Sequence, residues 1–238
     1  AYSNYFSPRL VRWIKENQEN YDLIHFDMAL TIPYRKYIKT RPTLLVSSDA
    51  YSMAAYRAMK LTRNFYHKIH LIIQSYFFLY HEKFIYHRFS KVVSVSDIDT
   101  YYLQKANPKI DIETVGIPIS EHYRSKKINH FQKVISGTSS PKILVTGSLS
   151  HHVIADNVVQ ILDKLKETVH NNNNLQLVLL GINPHESLKK YIQQNNFVNH
   201  INYVENYSDF LDQDWIYLYP QKSASGLQTK LQQAMSLG

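Results

Sequence analysis

Three of the 6 glycines in this 238-residue chain lie just beyond apolar runs: Gly147 after Lys142–Thr146, Gly181 after Leu175–Leu180 and Gly226 after Trp215–Tyr219. A residue with no Cβ at such a place lets the main chain approach a ligand closely. At the carboxyl end of a parallel strand, the following helix also offers unpaired N–H groups that suit an anion. The chemistry this allows is the cradling of phosphate by backbone. The plainer reading of the same residues is three ordinary strand–helix turns. His151 and His152 directly follow the Gly147 loop, so His151 could face the same ligand or stand in solvent. Asp97-Ile-Asp99 and Asp212-Gln-Asp214 have the spacing of metal-binding D-x-D loops, but Asp97 sits where helix capping accounts for it. His67/His70 and His81/His87 fall on one long helical segment, and no H-E-x-x-H is present. No metal is expected.

Several chemistries are excluded outright. The chain has no cysteine, so disulfide scaffolds, thiolate zinc sites, iron–sulfur clusters and cysteine nucleophiles are absent. It contains neither a P-loop nor a G-x-G-x-x-G fingerprint.

The elements that must position these residues are short apolar runs alternating with helical patterns. Strands are expected at Tyr21–Phe26, Thr43–Ser47, Val92–Ser96, Ile112–Val115, Lys142–Thr146, Leu175–Leu180, Ile201–Val204 and Trp215–Tyr219. They are rich in Val, Ile and Leu without polar alternation, as parallel strands buried on both faces should be. The resulting βαβα order predicts an α/β, doubly wound architecture. Helices are expected over 7–20, 154–169 and, most clearly, 69–89. In the last, Ile69, Ile72, Ile73, Tyr76, Phe77, Tyr80 and Phe84 make one continuous apolar stripe.

Charge divides the chain. Residues 1–118 hold 16 basic and 10 acidic groups, residues 119–140 hold 4 and 1, and residues 141–238 hold 7 and 8, which together give the net +8. The middle segment is basic and aperiodic, a linker by composition. Two domains facing a cleft are therefore expected: 1–118, a linker at 119–140, and 141–238. The chain opens on a helix-like segment and closes at Gly238 after a helix, so both ends are expected to be incomplete. No segment reaches the roughly 18–20 apolar residues of a bilayer span, and no signal-peptide pattern opens the chain; a cytoplasmic location is the expectation.

The run Tyr219-Pro-Gln-Lys-Ser-Ala-Ser-Gly-Leu-Gln-Thr-Lys-Leu-Gln-Gln-Ala-Met-Ser-Leu-Gly238 resembles the donor-binding segment of family 4 glycosyltransferases (GT-B fold, glycosyl transferases group 1). Gly226-Leu-Gln-Thr-Lys230-Leu-Gln-Gln-Ala-Met235 is similar to the form found in the exopolysaccharide-type subset. Lys142-Ile-Leu-Val-Thr-Gly-Ser-Leu-Ser150 and Leu177-Val-Leu-Leu-Gly181 look like the family's first two C-terminal strands. Asp22-Leu-Ile-His-Phe and Lys91-Val-Val-Ser-Val-Ser96 look like strands of its N-terminal domain.

The resemblance implies two Rossmann-like domains, an acceptor-side one at 1–118 and a donor-side one at 141–238. It implies transfer of a sugar, with retention, from a nucleotide-diphosphate sugar to a glycan or lipid-linked acceptor in cell-surface polysaccharide or glycoconjugate synthesis. It implies no metal or other cofactor. By the same resemblance, the helix N-terminus at Leu227, Gln228, Thr229 and Lys230 holds the diphosphate, Lys230 adds a full charge, and Gly147 and Ser148 approach from the neighbouring loop. Gly226 belongs to the loop that leads from Tyr219 into that helix. Two family glutamates are replaced here by Ser225 and Gln233. Gln233 can still hydrogen-bond a ribose, more weakly than a carboxylate would, whereas Ser225 is too short to replace a glutamate without a water. A non-catalytic binding or scaffold module is the alternative this leaves. Asp49 stands where many members have a histidine; it could orient an acceptor hydroxyl or the sugar, or cap the helix starting near Tyr51.

Residues 51–91 hold seven Lys/Arg, one Glu and eleven aromatics. This mixture suits an anionic membrane surface at the cytoplasmic face, or a core stripe with a wet face. No nucleic-acid-binding motif accompanies it, and nucleic acid is not an expected partner.

Overall fold

The computed structural model describes residues 6–62, 64–121, 142–150, 152–171, 176–205, 207, 210, 215–220 and 227–237. The chain divides into two compact units, one built on Ala1–Ile117 with Ser223–Gln228 and the other on Pro118–Lys222 with Thr229–Gly238. The linker expected at 119–140 falls almost wholly outside the described residues, as do His151, Asp212, Asp214, Ser225, Gly226 and Gly238.

In the first unit, strands β1 (Ile24–Asp27), β2 (Thr43–Ser47), β3 (Lys91–Ser94) and β4 (Ile112–Thr114) form a parallel sheet in chain order. Helix α1 (Pro8–Asn17) precedes it. The Ser7 side chain caps α1 by accepting from the Leu10 N–H at 3.3 Å, and proline occupies the first turn. Helices α2 (Tyr51–Leu61) and α3 (Phe65–Phe84) follow β2, and α4 (Asp97–Ala106) follows β3. Phe26, Leu45 and Val92 are paired in register and share one face. They anchor a core with Ile32, Met53, Phe78, Tyr86 and Leu103. Leu44 and Val46, on the opposite face, are half-buried. The two faces of this sheet are therefore covered unequally among the described residues.

The second unit meets it. Strands β5 (Lys142–Thr146), β6 (Gln176–Leu180), β7 (Val198–Ile201) and β8 (Trp215–Leu218) are parallel in the order β7-β6-β5-β8. Helices α5 (His152–Asn171), α6 (Glu186–Gln194) and α7 (Thr229–Leu237) complete it. Ile143, Val145, Leu177 and Leu179 enter one cluster while Leu144, Val178 and Leu180 enter another. Alternate residues feed opposite cores, which is why these strands read as unbroken apolar runs.

Two corrections concern the elements. The strand expected at Ile201–Val204 lies instead at Val198–Ile201, because Val198 to Ile201 pair in register with Leu177 to Leu180. The polar Asn199 and His200 hid it. The second correction is larger: the apolar stripe of α3 faces outward. Leu71, Phe78 and Glu82 are the buried residues of α3, while Ile69, Ile73, Tyr76, Phe77, Tyr80 and Phe84 are exposed. The core reading of that stripe does not hold. Among the described residues, no helix is long and apolar enough to cross a membrane.

Candidate functional site

The strand order of the second unit fixes where a ligand can sit. From β5 the chain winds outward through β6 to β7, then returns to place β8 on the other side of β5. The point of reversal is where adjacent βα loops part and open α/β sheets take ligands at the strands' carboxyl ends. Here it is flanked by the Gly147–Ser148 turn after β5 and by Tyr219 and Pro220 leaving β8. Sequence spacing alone could not place these side by side.

The turn after β5 is held from both sides. The Leu149 N–H donates to the Gly147 carbonyl at 2.9 Å, and the Leu149 carbonyl accepts from the His185 N–H at 2.8 Å. Leu149 is fully buried, whereas Ser148 is exposed. A Cβ added to Gly147 would meet only an Ile154 methyl at 3.9 Å. A Cβ on Gly181 would lie 2.9 Å from both the Gly147 carbonyl oxygen and Leu149 Cγ. The two glycines therefore differ in kind: Gly181 is required by packing, and Gly147 faces open space. Behind them, the buried Thr146 hydroxyl is 2.7 Å from the Tyr217 hydroxyl and 3.1 Å from that of Tyr207. Burial pushes the Tyr217 phenol up from its ordinary range. Nothing in the sequence singles out these two among 19 tyrosines.

Helix α7 begins at Thr229, two residues later than the Leu227–Leu231 N-terminus expected from the sequence. Thr229 and Lys230 are exposed in its first turn, which holds no acidic residue; Leu227, Gln228 and Gln233 are half-buried. A lysine there is opposed by the helix dipole and is relieved by an anion. Ser225, Gly226 and His151 lie outside the described residues.

In the first unit, the carboxyl ends of β2 and β3 are built alike. The Ser47 hydroxyl donates to the Asp49 carbonyl at 2.9 Å, and the Ser94 hydroxyl donates to the Ser96 carbonyl at 2.9 Å; Ser47 and Ser94 are paired in register. Next to them, Met28 ends β1 at φ 65° and ψ 155°, a conformation that costs a non-glycine residue about 1–3 kcal/mol. Asp49 is half-buried at this edge. It does not cap α2: the capping position is Ala50, which has no side chain to offer.

Two carboxylates that sequence reasoning did not assign do that work. Asp99 Oδ1 accepts from the Ala50 N–H at 2.8 Å, and Glu82 Oε1 accepts from the Ser52 N–H at 2.9 Å. The Ser52 hydroxyl also donates to Glu82. Asp99 is tied to its own helix cap as well, accepting from the Ser96 hydroxyl while its N–H donates to that oxygen at 3.1 Å. Ser96 thus caps the helix that carries Asp99, and Asp97-Ile-Asp99 has a structural explanation. Among the described residues, no group of three or more His, Asp or Glu could hold a metal. The signal for Glu82 was visible: it is the single acid in 51–91.

Burial pushes the Glu82 carboxyl up to about 7, against the opposing pull of the Ser52 hydrogen bonds. The folded state therefore keeps this proton while the unfolded chain releases it near the ordinary carboxyl value. Its contribution to stability is complete below that value and is lost as pH rises to about 7. The total is about 3 kcal/mol at most. Glu82→Gln is expected to flatten the pH dependence of Tm between pH 5 and 7 relative to the parent. Parallel pH profiles would contradict the assignment.

The comparisons with known proteins agree with this architecture. Residues 140–238 match the family model described as glycosyl transferases group 1. Among curated proteins, none matches the chain significantly. Solved structures match over nearly its whole length at low identity. An α,α-trehalose-phosphate synthase (UDP-forming) from Burkholderia vietnamiensis matches with TM-score 0.60 and 7% identity, covering 96% of this chain and 58% of the other. Anabaena HepE, solved with UDP and glucose, matches with TM-score 0.58 and 15% identity, covering 96% and 60%. The sucrose-phosphate synthase of Thermosynechococcus elongatus matches with TM-score 0.57 and 13% identity, covering 83% and 49%. The fold is of the GT-B type, and the chain spans about half to three-fifths of the length of these structures.

Proposed function

We propose that the protein is a glycosyltransferase that moves a sugar from a nucleotide-diphosphate sugar to a glycan or lipid-linked acceptor, with retention at the anomeric carbon. The observation that carries this reading is the return of β8 beside β5. It brings the Gly147–Ser148 turn after β5 and the end of β8 at Tyr219 and Pro220 to the same end of the sheet. The match of residues 140–238 to glycosyl transferases group 1 supports it, as does UDP bound by the structurally similar Anabaena HepE.

In the reaction, the bond from the anomeric carbon to the diphosphate oxygen breaks and the leaving group keeps the electron pair. The acceptor oxygen bonds to the same carbon, and its proton passes to the departing phosphate. Charge grows on the diphosphate, so fixed positive potential there lowers the barrier. Lys230, the backbone N–H groups of Leu227, Gln228 and Thr229, the preceding Ser225 and Gly226, and the Gly147–Ser148 turn supply it. Gln233 holds the ribose, and Asp49 orients the acceptor hydroxyl. Protein dipoles and Lys230 serve in place of a metal. The process served is synthesis of a cell-surface polysaccharide or glycoconjugate at the cytoplasmic face of a membrane, as in the exopolysaccharide-type subset of family 4.

Release of nucleoside diphosphate from UDP- and GDP-sugars, followed with NMR of the product's anomeric proton, tests the reading. Asp49→Ala is expected to lower turnover at least about 100-fold while leaving donor affinity unchanged. An equal loss of donor affinity would move Asp49 to the donor.

The replacement of two family glutamates by Ser225 and Gln233 favours one alternative, a non-catalytic module that retains donor binding. Gln233→Glu separates the two. A catalytic parent gains donor affinity through the added carboxylate; a parent and variant that both bind and never transfer establish the module.

A further inference from the structure

The helical side of the first unit contains a cavity lined by none of the donor-side or acceptor-orienting residues named above. Helices α2, α3 and α4 enclose about 800 Å3, within the roughly 300–1,000 Å3 of small-molecule sites. Met53, Ile72, Leu79 and Ala106 supply its apolar lining; Arg57, Lys60 and Lys105 contribute cations, and among the described residues no acidic one lines it. The cations stand over aromatic rings: Lys60 Nζ is 4.5 Å from the centre of Tyr56, and Arg57 is 5.6 Å from that of Tyr102. Among the described residues, neither Lys60 nor Lys105 pairs with a carboxylate.

The outward stripe of α3 adjoins this cavity through Tyr76, which belongs to both. Tyr66 is 83% exposed, Tyr76 70% and Ile73 63%. Lys68 and Lys83 flank them in solvent, and the one acid of α3, Glu82, is buried. A helix that shows water Ile, Phe and Tyr together with lysines, and no carboxylate, has the composition of an interfacial helix rather than of a wet face. Tyrosine is at home where apolar and polar layers meet.

We propose that this cavity seats the apolar chain of a phosphate-headed lipid, with its phosphate on Lys60, Lys105 and Arg57. The outward face of α3 rests in the bilayer surface from which the lipid is drawn. Charge complementarity selects this occupant. Its described lining combines apolar side chains, tyrosines and cations as a lipid combines chain, interface and headgroup, and every charge among the described lining residues has one sign. The inference rests on the lipid-linked branch of the proposed function for its purpose, but binding requires no donor, so each can fail alone. Loss of the transferase reading would show in nucleotide binding, and loss of this one in lipid binding.

Two measurements on the full chain test it. Sedimentation with phosphatidylcholine vesicles, with and without phosphatidylglycerol, should show at least about tenfold preference for the anionic vesicles. Titration with decyl phosphate, without vesicles, should show saturable binding that decanol and inorganic phosphate each match poorly. Lys60→Glu with Lys105→Glu, both at exposed positions, should weaken both by about tenfold or more. Ala106→Trp, which fills the cavity, should remove decyl phosphate binding. Tyr66→Ser with Ile73→Ser should weaken vesicle binding and leave decyl phosphate binding intact. Equal binding to neutral and anionic vesicles, no binding of decyl phosphate, or a preference of this face for single-stranded oligonucleotide over vesicles would each overturn the proposal.

Discussion

Lys230→Ala is expected to abolish most of the thermal stabilisation that UDP, GDP or ADP confers on the protein. A ligand that binds only the folded state at about 100 times its Kd adds about 2.7 kcal/mol, several degrees in Tm for a chain of this size. Lys230 is exposed in the first turn of α7, and that turn holds no acidic residue. Its charge lies beside the partial positive charge of the helix N-terminus, so removing it costs the apo protein nothing and relieves a small repulsion. The same place is favourable once a diphosphate arrives. A charge-assisted hydrogen bond contributes about 1.5–3 kcal/mol, so the variant's Kd should rise roughly tenfold to a hundredfold. Lys230→Arg should keep most of the effect. Differential scanning fluorimetry across the three nucleotides decides it. An undiminished shift in Lys230→Ala, or no shift with any nucleotide in the parent, would sink the donor-site assignment.

The second large effect separates two glycines that look alike in sequence. Gly181→Ala should destabilise the fold by about 1–3 kcal/mol, because its Cβ would lie 2.9 Å from a backbone carbonyl oxygen and from a buried leucine. Neither neighbour can move without moving the turn at Gly147, so nucleotide binding should weaken with it. Gly147→Ala has the opposite signature. Its Cβ would find only a methyl at 3.9 Å, so Tm should hold or rise slightly as unfolded-chain entropy falls. If Gly147 belongs to the proposed donor site, nucleotide affinity should nevertheless drop about tenfold, since the added carbon would occupy the space that the proposal assigns to phosphate. Thermal melts and nucleotide titrations on both variants test the pair. A folded, binding-competent Gly147→Ala would show that ligand does not approach there.

Much of the fold was legible because the second sheet is covered on both faces. Ile143 and Leu144 enter different cores, so β5 reads as a solid apolar run and its bounds follow from the sequence without error. The first sheet was harder to read, with Leu44 and Val46 only half-buried. Helix α3 shows where periodicity stops informing. The stripe from Ile69 to Phe84 fixes that a helix forms, but the same spacing describes a core face and a face turned outward. Only packing against α2 and α4 shows that Leu71 and Phe78 point inward.

The candidate site divides along the same line. Ser148 and Lys230 are named through the resemblance of their segments to family 4 glycosyltransferases. The glycines that follow strands, Gly147 among them, could be named from local chemistry, since strand–glycine–helix punctuation is written in consecutive residues. What they neighbour could not. That β8 returns beside β5, that Gly181 is required by the turn at Gly147, and that Glu82 and Asp99 hold the start of α2 next to Asp49 all join residues 30 or more positions apart. Local hydrogen bonding and hydrophobic periodicity extend over one element and are encoded there. Which elements become neighbours, and which face each one buries, is decided by the packing of the whole unit.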